Sequence, residues 1–239
     1  YGKASGCAKG KGGSMHLIDL DAGLIAAVPI VGSTIPIGVG AAWGKKLKNK
    51  KDKTVIFFGE GATETGVFHE SLGFASLHNI PVIFICENNL YSVYTHVKDR
   101  QSEKSSLKTI VEGHGIKYLY GNGNNMEEVL DISKQSIDHI ETKKQPILLE
   151  FDTYRWLEHC GPGNDDYLNY RDEEETKIWL KNCPINLFEK KLLNSGAITK
   201  KEIDDNLQML DNEILEAFLD AKNADFLPAS SLYDDIYSE

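Results

Sequence analysis

The sequence predicts an α/β fold in which helices cover both faces of a mostly parallel sheet, followed by a helical C-terminal tail. Three apolar runs have the length of strands, and each is continuous rather than alternating, at residues 54–58, 81–86 and 146–151. Continuous apolar runs are typical of parallel strands that are buried on both faces. Segments with helical periodicity separate these runs, and such alternation of strands with helices indicates a parallel sheet.

Small residues mark the first predicted helix, at residues 32–43. Glycines and alanines are closely spaced at positions 38–42, whereas residues 1–13 are rich in Gly and Lys and have no periodicity. Small side chains allow a helix backbone to approach its neighbours closely. We therefore expect a tightly packed, buried helix preceded by a loop that becomes ordered through its contacts.

The next elements form a strand–helix–strand unit. Between the runs at 54–58 and 81–86, residues 67–78 place Phe68 and Leu72 at helical spacing. The same alternation then continues, with a predicted strand at 116–120, a helix at 126–143 and the strand at 146–151.

The character of the sequence changes after Arg171, where the apolar runs end. Three further helices are predicted, at residues 172–180, 184–194 and 200–221. Thr199 and Glu202 have the spacing of a capping box at the start of the last helix. We expect a sheet domain at residues 1–171 and a helical extension at 172–239 packed on it.

Composition excludes several classes of function. The chain has 239 residues and a formal net charge of −10, which argues against a nucleic-acid-binding surface. The basic run at 45–53 is interpreted as a solvated loop. No apolar run approaches the ~20 residues that a membrane span requires. The four cysteines match no zinc-site spacing, so free thiols in a reducing compartment are expected. The sequence shows no targeting signal, which favours a cytoplasmic location.

Polar side chains follow two neighbouring predicted strands. Glu60 lies between Gly59 and Gly61 directly after the first strand, and Asn88 and Asn89 end the second. Ligands of open α/β sheets bind at the carboxyl ends of strands. A carboxylate and an amide oxygen suit Mg²⁺, which completes its octahedron with phosphate oxygens and water. The pattern therefore indicates a metal–diphosphate site.

A structural role is the alternative for the same residues. Glu60 would then cap a helix, and the two asparagines would form a turn. A Gly-Glu-Gly tripeptide alone favours that interpretation. Its pairing with a strand-terminal Asn-Asn one strand–helix unit later favours the binding site.

The motifs together resemble the alpha subunit of the thiamine-diphosphate-dependent first component of 2-oxo acid dehydrogenase complexes. Acetoin dehydrogenase alpha subunits share this pattern, and the resemblance extends over nearly the whole chain. Five motifs carry it in addition to Gly59-Glu60-Gly61: residues 10–16, 30–36, 66–72, 86–89 and 153–156.

The resemblance implies roles for individual residues. The magnesium ligands would be the Glu60 carboxylate, the Asn89 side chain and the backbone carbonyl of Tyr91. The amides of Gly61 and Ala62 would contact the diphosphate, and the backbone of Val31 would contact the aminopyrimidine. Glutamate at position 60 departs from the more common aspartate, so the longer side chain must shift the metal or the strand end slightly.

His159 lies in a glycine-rich loop after the third strand, where a lone histidine is by default a bystander. The resemblance places it over the cofactor, where it would steady the diphosphate side and assist acylation of a lipoyl acceptor. Arg171 would order this loop. The Cys160-Gly-Pro-Gly163 segment departs from the family's serine-containing loop, so the sequence does not support serine phosphorylation there.

The resemblance also implies partners. A beta subunit would supply the activating glutamate in an alpha-two beta-two heterotetramer, and a lipoyl-bearing acyltransferase would accept the acyl group. The substrate would be a small 2-oxo acid or acetoin, which the sequence does not distinguish. Roughly the first quarter of a typical alpha subunit, with a further phosphate contact, is expected to precede Tyr1.

Two alternative functions stay open from the sequence. One is a thiamine-dependent carboligase or sugar-modifying enzyme on the same scaffold, an alternative that the unusual loop after His159 leaves open. The other is an inactive module that only pairs with a beta subunit.

Overall fold

The computed structural model describes residues 1–234, so the last five positions of the predicted extension lie outside the described residues. The chain forms two compact units. One contains residues 30–191, and the other combines residues 1–29 with the described residues from 192 onward. The boundary at 191/192 falls within one helix. The predicted domain boundary at 171/172 stays a prediction, because a division by compactness does not establish which segment folds independently.

The unit at 30–191 is built on a four-stranded sheet in which every pairing is parallel. The strand order is β1-β2-β6-β5. A short antiparallel hairpin, β3–β4, lies outside this sheet. The strands are β1 Thr54–Gly59, β2 Val82–Asn88, β3 Tyr91–Ser92, β4 Thr95–His96, β5 Lys117–Asn122 and β6 Ile147–Asp152.

All the predicted strands and helices are present, and the largest shift of a boundary is from residue 43 to residue 47 at the end of α1. The hairpin and two short helices, α3 and α4, were not predicted. The helices are α1 Thr34–Leu47, α2 Gly66–Leu77, α3 Val97–Arg100, α4 Leu107–Gly113, α5 Met126–Thr142, α6 Glu173–Lys181, α7 Pro184–Ser195 and α8 Lys200–Asn223.

Helices cover both faces of the sheet, which confirms the predicted fold class. On one face, α1, α2 and α4 enclose a core that includes Phe68, Phe84 and Leu148. On the other face, α5 packs Ile132 and Ile140 against β2 and β6. Burial of apolar side chains on both faces stabilises the sheet and fixes the positions of its strand ends.

The prediction that β1 is buried on both faces is wrong. Its residues alternate between buried and exposed, and Val55 and Phe57 are 43% and 58% exposed. β1 is an edge strand, and α5, which covers that face, packs against β2, β5 and β6. A continuous apolar run therefore does not distinguish a central strand from an edge strand whose outer face is uncovered.

The first helix was predicted to be buried, but α1 is buried on one face only, and its last turn includes the first residues of the basic run that was predicted as a loop. Two other predicted local features are confirmed. Thr199 and Glu202 form both hydrogen bonds of the capping box at the start of α8. The four cysteines are free thiols, and burial raises the pKa of Cys86. No helix within residues 1–234 is long and apolar enough to cross a membrane.

The N-terminal loop is ordered by contacts within its own unit. The Ala4 amide donates to the Asp225 carbonyl at 2.9 Å, and Lys3 Nζ donates to the Ala224 carbonyl at 2.8 Å. The same ammonium lies 3.9 Å from the centre of the Phe226 ring, within the range of a cation–π contact. The loop thus depends on the segment that follows α8.

We expect Gly38→Ala to destabilise the protein by about 1–3 kcal/mol, because an added methyl overpacks a filled core. A Cβ at Gly38 would lie 2.3 Å from Ile56 Cγ1, whereas a Cβ at Gly40 in the same helix meets nothing within 4 Å. Gly40→Ala is the matched control and should stabilise by up to about 1 kcal/mol through helix propensity. Urea denaturation of both variants measures the difference, and equal effects would refute the tight packing of α1.

Candidate functional site

Three strands deliver polar residues to one edge of the sheet. In the parallel register, Gly59 pairs with Glu87, and Asn88 pairs with Asp152. The residues that follow β1, β2 and β6 therefore leave the sheet at the same edge. This is the edge at which open α/β sheets bind ligands.

Glu60 is the first residue of a 3-10 helix, Glu60–Glu64, directly after β1. Only 4% of the Glu60 surface is exposed. A carboxylate at this depth needs a compensating positive charge. Arg100 supplies one, since its Nη2 donates to Glu60 Oε1 at 2.5 Å. The side chain of Glu60 is thus engaged by a cation rather than by a backbone amide, and the helix-capping alternative does not describe it.

Asn88 and Asn89 form the turn that the structural alternative anticipated. The Leu90 amide donates to Asn88 Oδ1 at 3.0 Å, and the Tyr91 amide donates to Asn89 Oδ1 at 2.9 Å. Leu90 adopts a φ of +68°, in the left-handed region that non-glycine residues enter at a cost. An amide oxygen has two lone pairs, so Asn89 Oδ1 retains one for a ligand.

The hairpin after Asn89 packs against the 3-10 helix. A Cβ on Gly61 would lie 2.8 Å from Ser92 Oγ, so only glycine permits this approach. The packing places the β3 strand, Tyr91–Ser92, against the 3-10 helix that carries Glu60. The Ala62 side chain belongs to the core. The Gly61 amide lies in the first turn of the 3-10 helix, where it has no intrahelical acceptor, whereas the Ala62 amide donates to the carbonyl of the N-cap residue Gly59 within that helix.

The residues at this edge fit a magnesium ion by their donor chemistry. One carboxylate, one amide oxygen and one backbone carbonyl give an all-oxygen set with few protein ligands, as Mg²⁺ prefers when phosphate oxygens and water complete its shell. Within residues 1–234, no cluster of three His, Cys, Asp or Glu side chains is arranged to hold a metal. A transition-metal site of that type is therefore not found there.

The loop that carries Val31 reaches the same edge. Gly32 has a φ of +83°, and a Cβ there would lie 2.8 Å from Thr65 Oγ1, at the start of α2. Val31 itself is 62% exposed. The structure therefore brings the Val31 backbone beside the Glu60–Thr65 segment and leaves its side chain accessible.

His159 lies on an exposed loop after β6, and its ring makes no hydrogen bond within the part of the chain that is described. Arg155 ties this loop to the hairpin by donating to the Val93 carbonyl at 2.9 Å. Glu158 closes the loop tip, since its Oε1 accepts from the Gly163 amide at 3.0 Å. The structure places the loop beside the hairpin but does not bring the imidazole into contact with Glu60.

Arg171 is buried and holds the base of the His159 loop, as predicted. It donates to the Arg155 carbonyl and to Asp165 Oδ1, and Asp165 is 1% exposed. Burial tends to raise the pKa of Asp165, but the Tyr170 hydroxyl and the charges of Arg171 and Arg155 outweigh it and lower that pKa. The resulting stabilisation is present above the ordinary value of 3.8 and is lost as pH falls through the lowered pKa.

Sequence reasoning missed a buried network under the site. Glu150 accepts hydrogen bonds from Asn88 Nδ2 at 2.7 Å and from the Tyr118 hydroxyl at 2.5 Å. Burial and the bond to Glu150 raise the pKa of Tyr118. The sequence did contain a sign of this network, namely a glutamate within the apolar run of β6. A carboxylate in a buried strand requires hydrogen-bond partners.

We expect Arg171→Met to destabilise the unit at 30–191 by about 3 kcal/mol, because it leaves a buried carboxylate without its main partner. Lys177→Met is the control, since its pairs with Glu173 and Glu174 are exposed and should contribute little. Limited proteolysis of the loop at 155–171 and thermal denaturation give the readouts. A loop in Arg171→Met as resistant to protease as in the control would contradict this assignment.

Comparisons with known proteins identify a family and several relatives of this chain. The family described as dehydrogenase E1 component matches residues 1–230. The pyruvate dehydrogenase E1 component subunit alpha of Rickettsia bellii is 33% identical over 236 residues, which cover 99% of this chain and 71% of that protein. The mitochondrial subunit alpha of Pisum sativum is 32% identical and is covered over 58% of its length.

Among solved structures, a transketolase from Campylobacter jejuni aligns with 54% of this chain and 20% of its own, at 24% identity and a TM-score of 0.46. The family match spans nearly the whole chain and includes every residue of the candidate site. The chain belongs to the dehydrogenase E1 component family, whose members are thiamine-diphosphate-dependent oxidoreductases.

Proposed function

We propose that the chain is the alpha subunit of a 2-oxo acid dehydrogenase and holds the diphosphate and magnesium of thiamine diphosphate. The observation that carries this proposal is the buried Glu60 carboxylate at the sheet edge where the Asn89 turn and Tyr91 also lie. Membership of the E1 family and the names of its relatives support the same assignment.

Each residue of the site has a binding role in this proposal. Glu60, the Asn89 side chain and the Tyr91 carbonyl would hold the metal. The Gly61 and Ala62 amides would bind diphosphate oxygens, and the Gly61 amide has no acceptor within the 3-10 helix. Preorganised oxygens and amides bind the charged end of a cofactor without rearrangement, which favours a fixed orientation.

Two exposed residues would complete the cofactor environment. The Val31 backbone would contact the aminopyrimidine, and its exposure suits a site that another subunit closes. His159 would approach from its loop and assist acyl transfer to a lipoyl group. The exposed position of His159 leaves its ring accessible to a partner that covers the site.

Thiamine diphosphate, when bound, supplies the nucleophile and the electron sink for loss of carbon dioxide. The chain would position that group, while a beta subunit would supply the activating glutamate in an alpha-two beta-two heterotetramer. A lipoyl-bearing acyltransferase would take the acyl group. The relatives are called subunits alpha of an E1 component, which supports both partners. A cytoplasmic location stays part of the proposal.

Pyruvate is the substrate to test first, because the relatives are named as pyruvate dehydrogenases. A panel of pyruvate, a branched-chain 2-oxo acid and acetoin should be assayed with the cognate beta subunit and a lipoyl acceptor. The proposal expects acceptor reduction with at least one of them. Carbon–carbon bond formation without a lipoyl acceptor would favour the carboligase alternative.

We expect Glu60→Gln to weaken metal-dependent binding of thiamine diphosphate by more than about 100-fold, because loss of a direct ligand should exceed the effect of losing a supporting partner. The fold should persist, since Arg100 keeps its contact with Glu64. Isothermal titration with Mg²⁺ and thiamine diphosphate, beta subunit present, measures the change.

Glu87→Gln is the matched control for that titration, because Glu87 is an exposed carboxylate at the end of the neighbouring strand. It should bind as the unsubstituted chain does. Unchanged binding in Glu60→Gln would refute the metal assignment. Absence of cofactor binding in the unsubstituted complex would favour the inactive pairing module instead.

A further inference from the structure

Arg100 is the last residue of α3 and lies at the centre of the candidate site. Its Nη2 donates to Glu60 Oε1 at 2.5 Å, and its Nη1 pairs with Glu64. Its Nε donates to the Thr95 carbonyl at 3.1 Å. Only 11% of the side chain is exposed. Three acceptors on two different segments therefore fix this guanidinium.

The guanidinium engages one oxygen of Glu60 and leaves the other. Among the described residues, Oε2 of Glu60 accepts no hydrogen bond. This oxygen is not fully buried, so a ligand can reach it. The carboxylate can thus hold Arg100 through Oε1 and a metal ion through Oε2. Carboxylates that bind metals are commonly oriented in this way by a hydrogen bond to their second oxygen.

The charges at the site favour a further cation. Glu60 and Glu64 share a single guanidinium, so the three side chains together retain a negative charge. Gln101 adds only a neutral donor, since its Nε2 donates to Glu64 Oε1 at 3.0 Å. Arg100 therefore neutralises part of the pair and does not saturate it.

The length of the Glu60 side chain creates the need for such a partner. Glutamate has one more rotatable bond than aspartate, and each freely rotating side chain loses conformational entropy when a ligand fixes it. Thr63 anchors only the backbone of Glu60, where its hydroxyl donates to the carbonyl at 2.6 Å. Within the described residues, Arg100 is the hydrogen-bond donor to this carboxylate.

We propose that Arg100 is a positioning residue that presents Glu60 Oε2 to the metal by holding Oε1. This inference rests on the proposed function, because it assumes that Glu60 binds the metal. It adds a residue on a segment for which the sequence predicted no element. Arg100 acts through Glu60 and contributes no ligand itself.

The test measures binding of Mn²⁺, used as a paramagnetic substitute for Mg²⁺, by the complex with its beta subunit and thiamine diphosphate. Free Mn²⁺ is quantified by electron paramagnetic resonance. Arg100→Gln should weaken Mn²⁺ binding by about 10- to 100-fold, the usual effect of removing a residue that supports a metal ligand. Lys98→Gln, an exposed substitution in the same helix, should leave the affinity unchanged.

A double-mutant cycle with Glu60→Asp separates positioning from a structural role. The shorter carboxylate should lose its contact with Arg100, so Arg100→Gln should change Mn²⁺ affinity less than about 3-fold in that background. Equal effects of Arg100→Gln in both backgrounds would overturn the proposal. If Arg100→Gln does not fold, Arg100→Lys replaces it in the test, because lysine keeps the charge but cannot contact both glutamates in the same way. The Mn²⁺ affinity of Arg100→Lys should lie between that of the unsubstituted complex and that expected for Arg100→Gln.

Other outcomes also decide the matter. Tighter Mn²⁺ binding in Arg100→Gln would show that the guanidinium competes with the metal, which overturns the proposal. Unchanged affinity would do the same. If Glu60→Gln binds Mn²⁺ normally, the metal assignment fails and this inference fails with it. Loss of binding in Glu60→Gln with no effect of Arg100→Gln refutes the inference alone.

Discussion

The parallel register of β1, β2 and β6 is the constraint on which the site depends. It brings the carboxyl ends of three strands to one edge, so residues that are far apart in sequence enter one small region. The cores on both faces fix that register, because sliding a strand would move apolar side chains out of register with their partners. Glu60 and the Asn89 turn therefore gain their proximity from packing distant from the site.

Buried charge is the second constraint at this edge. Glu60 lies at a depth where a carboxylate needs a cation, and both Arg100 and the proposed metal can meet that need at different oxygens. A similar arrangement supports the loop of His159, where Arg171 and Asp165 pair below the surface. The site thus combines buried, charged residues at its base with an exposed loop, an arrangement that suits a cofactor-binding site completed by a second subunit.

The sequence predicted the features that depend on local pattern. The strands, the long helices and the strand-end polar residues could all be identified, because periodicity and position along the chain determine them. The exposure of Phe57 could not, since an apolar run does not reveal whether a helix covers it. Arg100 was also missed. It lies in a segment without periodicity, and only the fold of the hairpin brings it to Glu60.

A crystal structure of the complex with its beta subunit, thiamine diphosphate and Mn²⁺ would show whether Glu60, Asn89 and Tyr91 bind the metal. Anomalous scattering locates the manganese without reference to the protein. We expect one manganese at about 2.0–2.3 Å from Glu60 Oε2, Asn89 Oδ1 and the Tyr91 carbonyl, with diphosphate oxygens completing its shell. A diphosphate bound elsewhere, or a manganese that does not contact Glu60, would contradict it.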